Sequence, residues 1–163
     1  MSGSRPQVEE QPEQAPAMER IRTLFSAEDR FARHSGIELL EAAPGQARVT
    51  MEIRPFHLNA AGTVHGGAIF TLADFAFAVA SNSHGTLALG ISTSISFLKG
   101  ASTGRLFAEA REVARTPRLA TYTVTVTNDG DEVVALFQGT VYRKKEALFP
   151  GAVAEETAGN GCA

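Results

Sequence analysis

Between Glu52 and Glu109 the chain holds a single carboxylate, Asp74. It sits in Phe70-Thr71-Leu72-Ala73-Asp74-Phe75-Ala76-Phe77, the most apolar stretch of the sequence. Taking a carboxylate out of water costs a sizeable fraction of a domain's stability unless something compensates. Aspartate is also a middling helix former that prefers the N-cap, and position 74 lies well inside the run. An acid kept there either bonds to Ser and Thr hydroxyls at a subunit seam or serves a function.

Directly before this run stands His65-Gly66-Gly67. Two glycines let a ligand approach the backbone closely. A helix N-terminus adds unpaired N–H groups and the positive end of the macrodipole. Together they could polarise a carbonyl oxygen, the oxyanion-hole role; alternatively they form an ordinary glycine loop into a helix. Asn59, six residues before His65, could orient water or a carboxylate, or could simply form a turn.

Other chemistry is thinly represented. His57 and His65 lack metal-ligand spacing and have no cysteine partners, so no metal site is expected. His34 and His84 read as surface or loop residues. Ser92, Thr93, Ser94 and Ser96 lie in no Gly-x-Ser-x-Gly elbow and read as a hydroxyl-lined strand face. Phe70, Phe75 and Phe77 suit an apolar pocket or a core. Lys99 and Arg143-Lys144-Lys145 end strands, either as solvated cations or as partners for a ligand phosphate. Neither a P-loop nor a dinucleotide fingerprint occurs.

These residues need elements to position them. Ile21, Leu24, Phe25 and Phe31 recur at helical spacing and predict one amphipathic helix over 18–33. Residues 37–41 and 47–53 read as strands flanking the turn signal Pro44-Gly45. A glycine-containing loop over 57–67 leads into 68–82, where five alanines and few β-branched residues favour helix. Being apolar all round, that helix should be enclosed by protein. Residues 87–98, 105–113, 120–127 and 132–143 then read as strands, the last two joined by the hairpin signal Asn128-Asp129-Gly130. The order predicts an α+β fold whose antiparallel sheet curls around one central helix.

Composition sets the outer limits. At 163 residues, 44% hydrophobic, the chain is large enough for one core and leaves little room for a second. Its net charge of −3 argues against a nucleic-acid binder held by phosphate contacts. Arg5 and Arg20 against Glu9, Glu10, Glu13 and Glu19 leave the first twenty residues at −2, and Glu155 and Glu156 leave the C-terminal segment at −2. The body over 21–146 is therefore +1. Three prolines and many polar residues in 1–17 predict a disordered tail, and 147–163 reads as a flexible one. Cys162 is the only cysteine, so no intrachain disulfide can form and the cytoplasm is the expected compartment. No run suits a membrane span or a signal peptide.

The pattern His57-x-Asn59-x-x-Gly62-x-x-His65-Gly66-Gly67, then Phe70-x-Leu72-Ala73-Asp74-x-Ala76-Phe77 and Asn82-Ser83, resembles the hotdog-fold acyl-CoA thioesterases of the phenylacetate-degradation (PaaI-like) family. The resemblance continues through Ser96-Phe97-Leu98-Lys99, Thr103-Gly104-x-Leu106, Tyr122-x-Val124-x-Val126 and Val134-Ala135-x-Phe137-x-Gly139. It covers roughly 20–144 and departs from the family at Gly100-Ala101, where a proline is common.

The resemblance implies a catalytic set of Asp74 (general base or nucleophile), Gly66 (N–H on the thioester carbonyl), Asn59 and His65. The expected substrate-binding residues are Gly67, Phe70, Thr93, Ser94 and Lys99. It further implies a homodimer with its active site across the interface, a homotetramer of two such dimers, and coenzyme A as part of the substrate rather than a cofactor. Phenylacetyl- and hydroxyphenylacetyl-CoA lead the expected substrates. A non-catalytic acyl-CoA-binding module, or a hydratase or dehydratase pairing Asp74 with His57 or His65, is the alternative on the same fold.

Overall fold

The computed structural model describes residues 15–149. The segments expected as tails, 1–17 and 147–163, lie for the most part outside the described residues, as does Cys162. The elements themselves run from Ala15 to Ala147.

Where periodicity predicts one helix over 18–33, there are two, α1 (Ala15–Glu28) and α2 (Arg30–His34). The break is Asp29. Its backbone is extended, and its carboxylate accepts the Ala32 N–H at 2.9 Å, so it caps a new helix instead of continuing the old one. Apolar spacing carries straight across such a cap and does not register it.

β1 (Ile37–Ala43) and β2 (Gln46–Glu52) form the expected hairpin, with Gly45 at φ +72° supplying the left-handed turn residue. A single 3₁₀ turn, Pro55–His57, precedes the glycine loop and α3 (Gly66–Asn82). β3 (Thr86–Phe97), β4 (Arg105–Arg115), β5 (Leu119–Asn128) and β6 (Val133–Ala147) complete an antiparallel sheet in the order β1-β2-β4-β5-β6-β3. The sheet wraps α3, which packs against all six strands. This is the hotdog arrangement expected.

Alternation explains the wrap. Ala120, Tyr122, Val124 and Val126 of β5 point inward, as do Leu106, Ala108 and Ala110 of β4. One large ring interrupts this plan: Phe77 lies against Gly139 of β6 and Gly90 of β3. A Cβ on Gly139 would come within 2.7 Å of that ring, and one on Gly90 within 3.3 Å. The two glycines hollow the sheet where Phe77 enters it.

The C-terminal end of α3 is tied down by polar side chains. Asn82 accepts the Ala88 N–H at 2.9 Å and donates to the carbonyls of Ala88 and Ala78. Ser83 accepts the Gly45 N–H at 2.7 Å. Both residues are buried.

Within a single chain the expected enclosure of the helix is incomplete. Asp74 is exposed, and Phe70, Thr71 and Ala78 beside it are only half-buried, so one stripe of α3 is open. The sheet curls around one side of the helix and cannot reach the other. No described helix is long and apolar enough to cross a membrane.

Candidate active site

The free N–H groups at the start of α3 decide what this end of the molecule can do. His65 is the N-cap, in extended conformation, and its Nδ1 accepts the Gly67 N–H at 2.8 Å. The Ala68 and Ile69 N–H groups bond to the His65 carbonyl. The Gly66 N–H has no acceptor among the described residues. One donor is thus left at the positive end of a seventeen-residue helix.

That donor borders a cavity of about 360 Å³ between the glycine loop, the first turn of α3 and the end of β3. Of the residues expected to act together, the cavity joins Asn59, Gly66 and Lys99. Val64, Ile69 and Phe97 supply its apolar wall. His65, Gly67, Phe70, Asp74, Thr93 and Ser94 do not line it.

Asn59 shapes the loop. Its Oδ1 accepts the N–H groups of Ala61 and Thr63 at 2.9 and 3.2 Å, and its Nδ2 donates to the Thr63 hydroxyl. The turn-forming alternative therefore holds for its oxygen, while one amide hydrogen remains for a ligand. Lys99 is not a free cation, since it pairs with Glu132. Phe70 stacks edge-to-face on Phe137, centroids 5.6 Å apart, which ties it to the core. Thr93 and Ser94 stand exposed on β3, opposite Gly139 and Gln138 of β6.

His57 is buried and fully engaged. Its Nδ1 accepts the Arg54 N–H at 3.0 Å and its Nε2 meets the Ser35 carbonyl at 2.9 Å. The ring anchors the 3₁₀ turn to the chain following α2, with neither nitrogen left to move a proton.

Asp74 has no hydrogen-bond donor among the described residues. Crowding by apolar neighbours, and secondarily the negative charge of Asp29, hold its carboxyl above the usual aspartate range. Asp74 lies eight residues beyond Gly66 in α3, a displacement of about 12 Å along the axis. One carbonyl cannot touch both groups within one protomer.

With β1, β3 is one of the two edges of the sheet, and it bonds only to β6. Leu89, Ile91, Phe97 and Leu98, on and just beyond this strand, are between 49% and 59% exposed. An apolar edge strand with unpaired backbone groups is a template for another strand. Sequence reasoning treated this strand only as a hydroxyl-bearing face; the apolar residues flanking its Ser and Thr run were the available signal.

A second polar cluster went unnoticed in the sequence because its members are far apart in it. Glu112 of β4 accepts the Tyr122 hydroxyl at 2.7 Å, meets His84 Nε2 at 2.7 Å and pairs with Arg115 at 3.3 Å. Burial pushes Glu112 upward, but the Tyr122 and His84 hydrogen bonds and the nearby positive charges outweigh it, leaving its pKa below the ordinary glutamate value. Burial and the bond to Glu112 push Tyr122 well up.

Comparison with known proteins bears on this geometry. Residues 61–135 match the thioesterase superfamily. A protein of Archaeoglobus fulgidus named as a putative esterase is 45% identical over 134 residues, covering 82% of this chain and 87% of that protein. The acyl-coenzyme A thioesterase PaaI of Escherichia coli is 35% identical over 71% of this chain and 83% of its own length. The solved structure of E. coli PaaI, from the phenylacetic acid degradation operon, superposes with a TM-score of 0.73 at 32% identity, over 83% of this chain and 94% of that one.

Proposed function

The chain belongs to the thioesterase superfamily, as a PaaI-like thioester hydrolase of hotdog fold, and from that premise we propose that it hydrolyses acyl-CoA thioesters at a site shared by two protomers. The observation that carries the reading is the free Gly66 N–H at the rim of the partly apolar cavity. It is a donor placed for a thioester carbonyl, on the end of a helix whose dipole reinforces it.

In the proposed reaction the carbonyl oxygen bonds to Gly66 of one protomer while Asp74 of the other approaches the carbonyl carbon. The 12 Å offset within a protomer supports this division, and the exposed apolar edge of β3 supports an assembly in which two such edges pair. Asp74 either takes a proton from water as its oxygen attacks the carbon, or attacks directly to form an anhydride that water then opens. In both cases the C–S bond breaks and coenzyme A leaves as thiolate. His65 holds the helix start and Asn59 the loop, its spare amide hydrogen facing the substrate. Gly67, Phe70, Thr93, Ser94 and Lys99 then contribute through packing, the strand face and the charge near the cavity mouth.

A homodimer across β3 is the working unit, and a homotetramer of two such dimers the full assembly. Aryl-acetyl thioesters, phenylacetyl- and hydroxyphenylacetyl-CoA, are the leading substrates, consistent with the names of the E. coli relative and its operon. Acyl-CoA chemistry of this kind suits the cytoplasm. The engaged His57 disfavours the hydratase alternative that would use it.

The test is thiol release from purified protein across short, long and aromatic acyl-CoAs, with an enoyl-CoA alongside. Turnover of at least one saturated or aryl thioester, strongest for the aryl-acetyl class, is expected. Tight binding without thiol release, or hydration of the enoyl-CoA alone, would overturn the reading.

A further inference from the structure

Phe97, the last residue of β3, is 53% exposed, yet its ring tip is directed into the protein. It points at Gly66. A Cβ built on Gly66 would lie 3.0 Å from Phe97 Cζ and 3.4 and 3.5 Å from Cε2 and Cε1. Gly66 has no left-handed φ, so its backbone does not demand glycine. The ring is the tightest neighbour a side chain there would meet.

The same ring forms part of the apolar wall of the cavity on which the Gly66 N–H opens. An N–H donor polarises a carbonyl more strongly where water is excluded and the local dielectric is low. Val64 and Ile69 border that cavity from the loop and the helix, while Phe97 and Leu98 reach it from the end of the edge strand, and of these two it is the Phe97 ring that lies against Gly66.

We infer that Phe97 is a positioning residue for thioester hydrolysis: its ring covers the Gly66 side of the cavity and shields the Gly66 N–H from water, so that a thioester carbonyl can seat there. The inference rests on the proposed role of Gly66. It adds that the edge strand, and not only the helix, sets how strongly that donor acts. A ring serving only to fill the interface between two copies would affect assembly and not the chemical step.

The experiment compares wild type with Phe97→Ala and Phe97→Leu, after light scattering and circular dichroism have matched their assembly and fold. With the acyl-CoA the wild type hydrolyses best, Phe97→Ala should lower kcat about tenfold and change KM by less than about twofold, because a transition-state interaction is weakened. Phe97→Leu, which restores an apolar cover, should recover most of kcat. An unchanged kcat, or a rise in KM alone, overturns the inference.

Amide hydrogen exchange at Gly66 gives a readout independent of turnover. It should speed up in Phe97→Ala and not in Phe97→Leu; equal exchange in all three proteins overturns the inference. Should the wild type hydrolyse no acyl-CoA, the functional reading fails while exchange still decides whether Phe97 shields Gly66. Phe97→Val, apolar but too short to reach Gly66, takes the place of Phe97→Ala if alanine disturbs assembly.

Discussion

Replacing Asp74 with asparagine should inactivate the protein and make it more stable. The carboxyl is held above the ordinary aspartate range by desolvation and then by the charge of Asp29, with no donor among the described residues to offset either. The folded state therefore binds this proton more tightly than the unfolded chain does. Below the ordinary aspartate value of 3.8 the group is neutral in both states and costs nothing. As pH rises through the raised folded value a penalty develops, and above it the penalty is fully present. Asparagine keeps the shape and removes the charge.

Because one side of Asp74 remains in water, the gain belongs at the low end of stabilising substitutions, about 0.5 kcal/mol, or roughly 1–2 °C in Tm for a chain of this size. Covering of the open α3 stripe by a second copy would enlarge it. Loss of a general base should lower kcat by about a hundredfold or more. Thermal melting of both proteins from neutral pH down to about 3.5, where the difference should vanish, tests the first part. Thiol release tests the second. An Asp74→Asn protein that melts lower at neutral pH would refute the reasoning, since the carboxylate would then be a paired structural group. Activity within tenfold of wild type would remove Asp74 from the chemistry.

Asp29→Asn retains an N-cap side chain but loses the charge facing Asp74, so the acid limb of the kcat/KM profile should move to lower pH; an unmoved limb would show that Asp29 does not tune the site. Glu112→Ala strips the buried Tyr122 hydroxyl of its acceptor and should cost about 1–3 kcal/mol in a denaturant melt at neutral pH. The lowered Glu112 pKa means that its ionic contribution is present above the ordinary value of 4.5 and is lost as pH falls through the folded value, so the gap to wild type should narrow in acid. Ile91→Lys puts a charge on the exposed edge of β3 and should yield a folded, inactive monomer by sedimentation; an active dimer would rule out pairing through that edge.

The order of elements could be read from the chain because each carries its own periodicity. The Thr-alternating β5 and the alanine-rich α3 announce themselves within a dozen residues. The break at Asp29 was hidden, because a cap is decided by backbone angles and not by apolar spacing. The loop-helix motif led to Gly66 and Asp74, but not to the 12 Å that separates them. Nor could it show that His65 spends its Nδ1 on Gly67 and Asn59 its oxygen on the loop. Phe97 and the Glu112 cluster depend on contacts between distant strands, to which local pattern is blind.

Phe77 in its two-glycine hollow has a mechanical consequence. A ring lodged between Gly90 and Gly139 acts as a pin through the sheet and stops α3 from sliding along its own axis. Gly66 lies eleven residues away on the same rigid rod, about 16 Å from the pin. An axial slip of a fraction of an ångström would carry the N–H off its target. In the proposed reaction, the alignment of the Gly66 N–H is therefore set about three turns further along α3, by two glycines with no chemistry of their own.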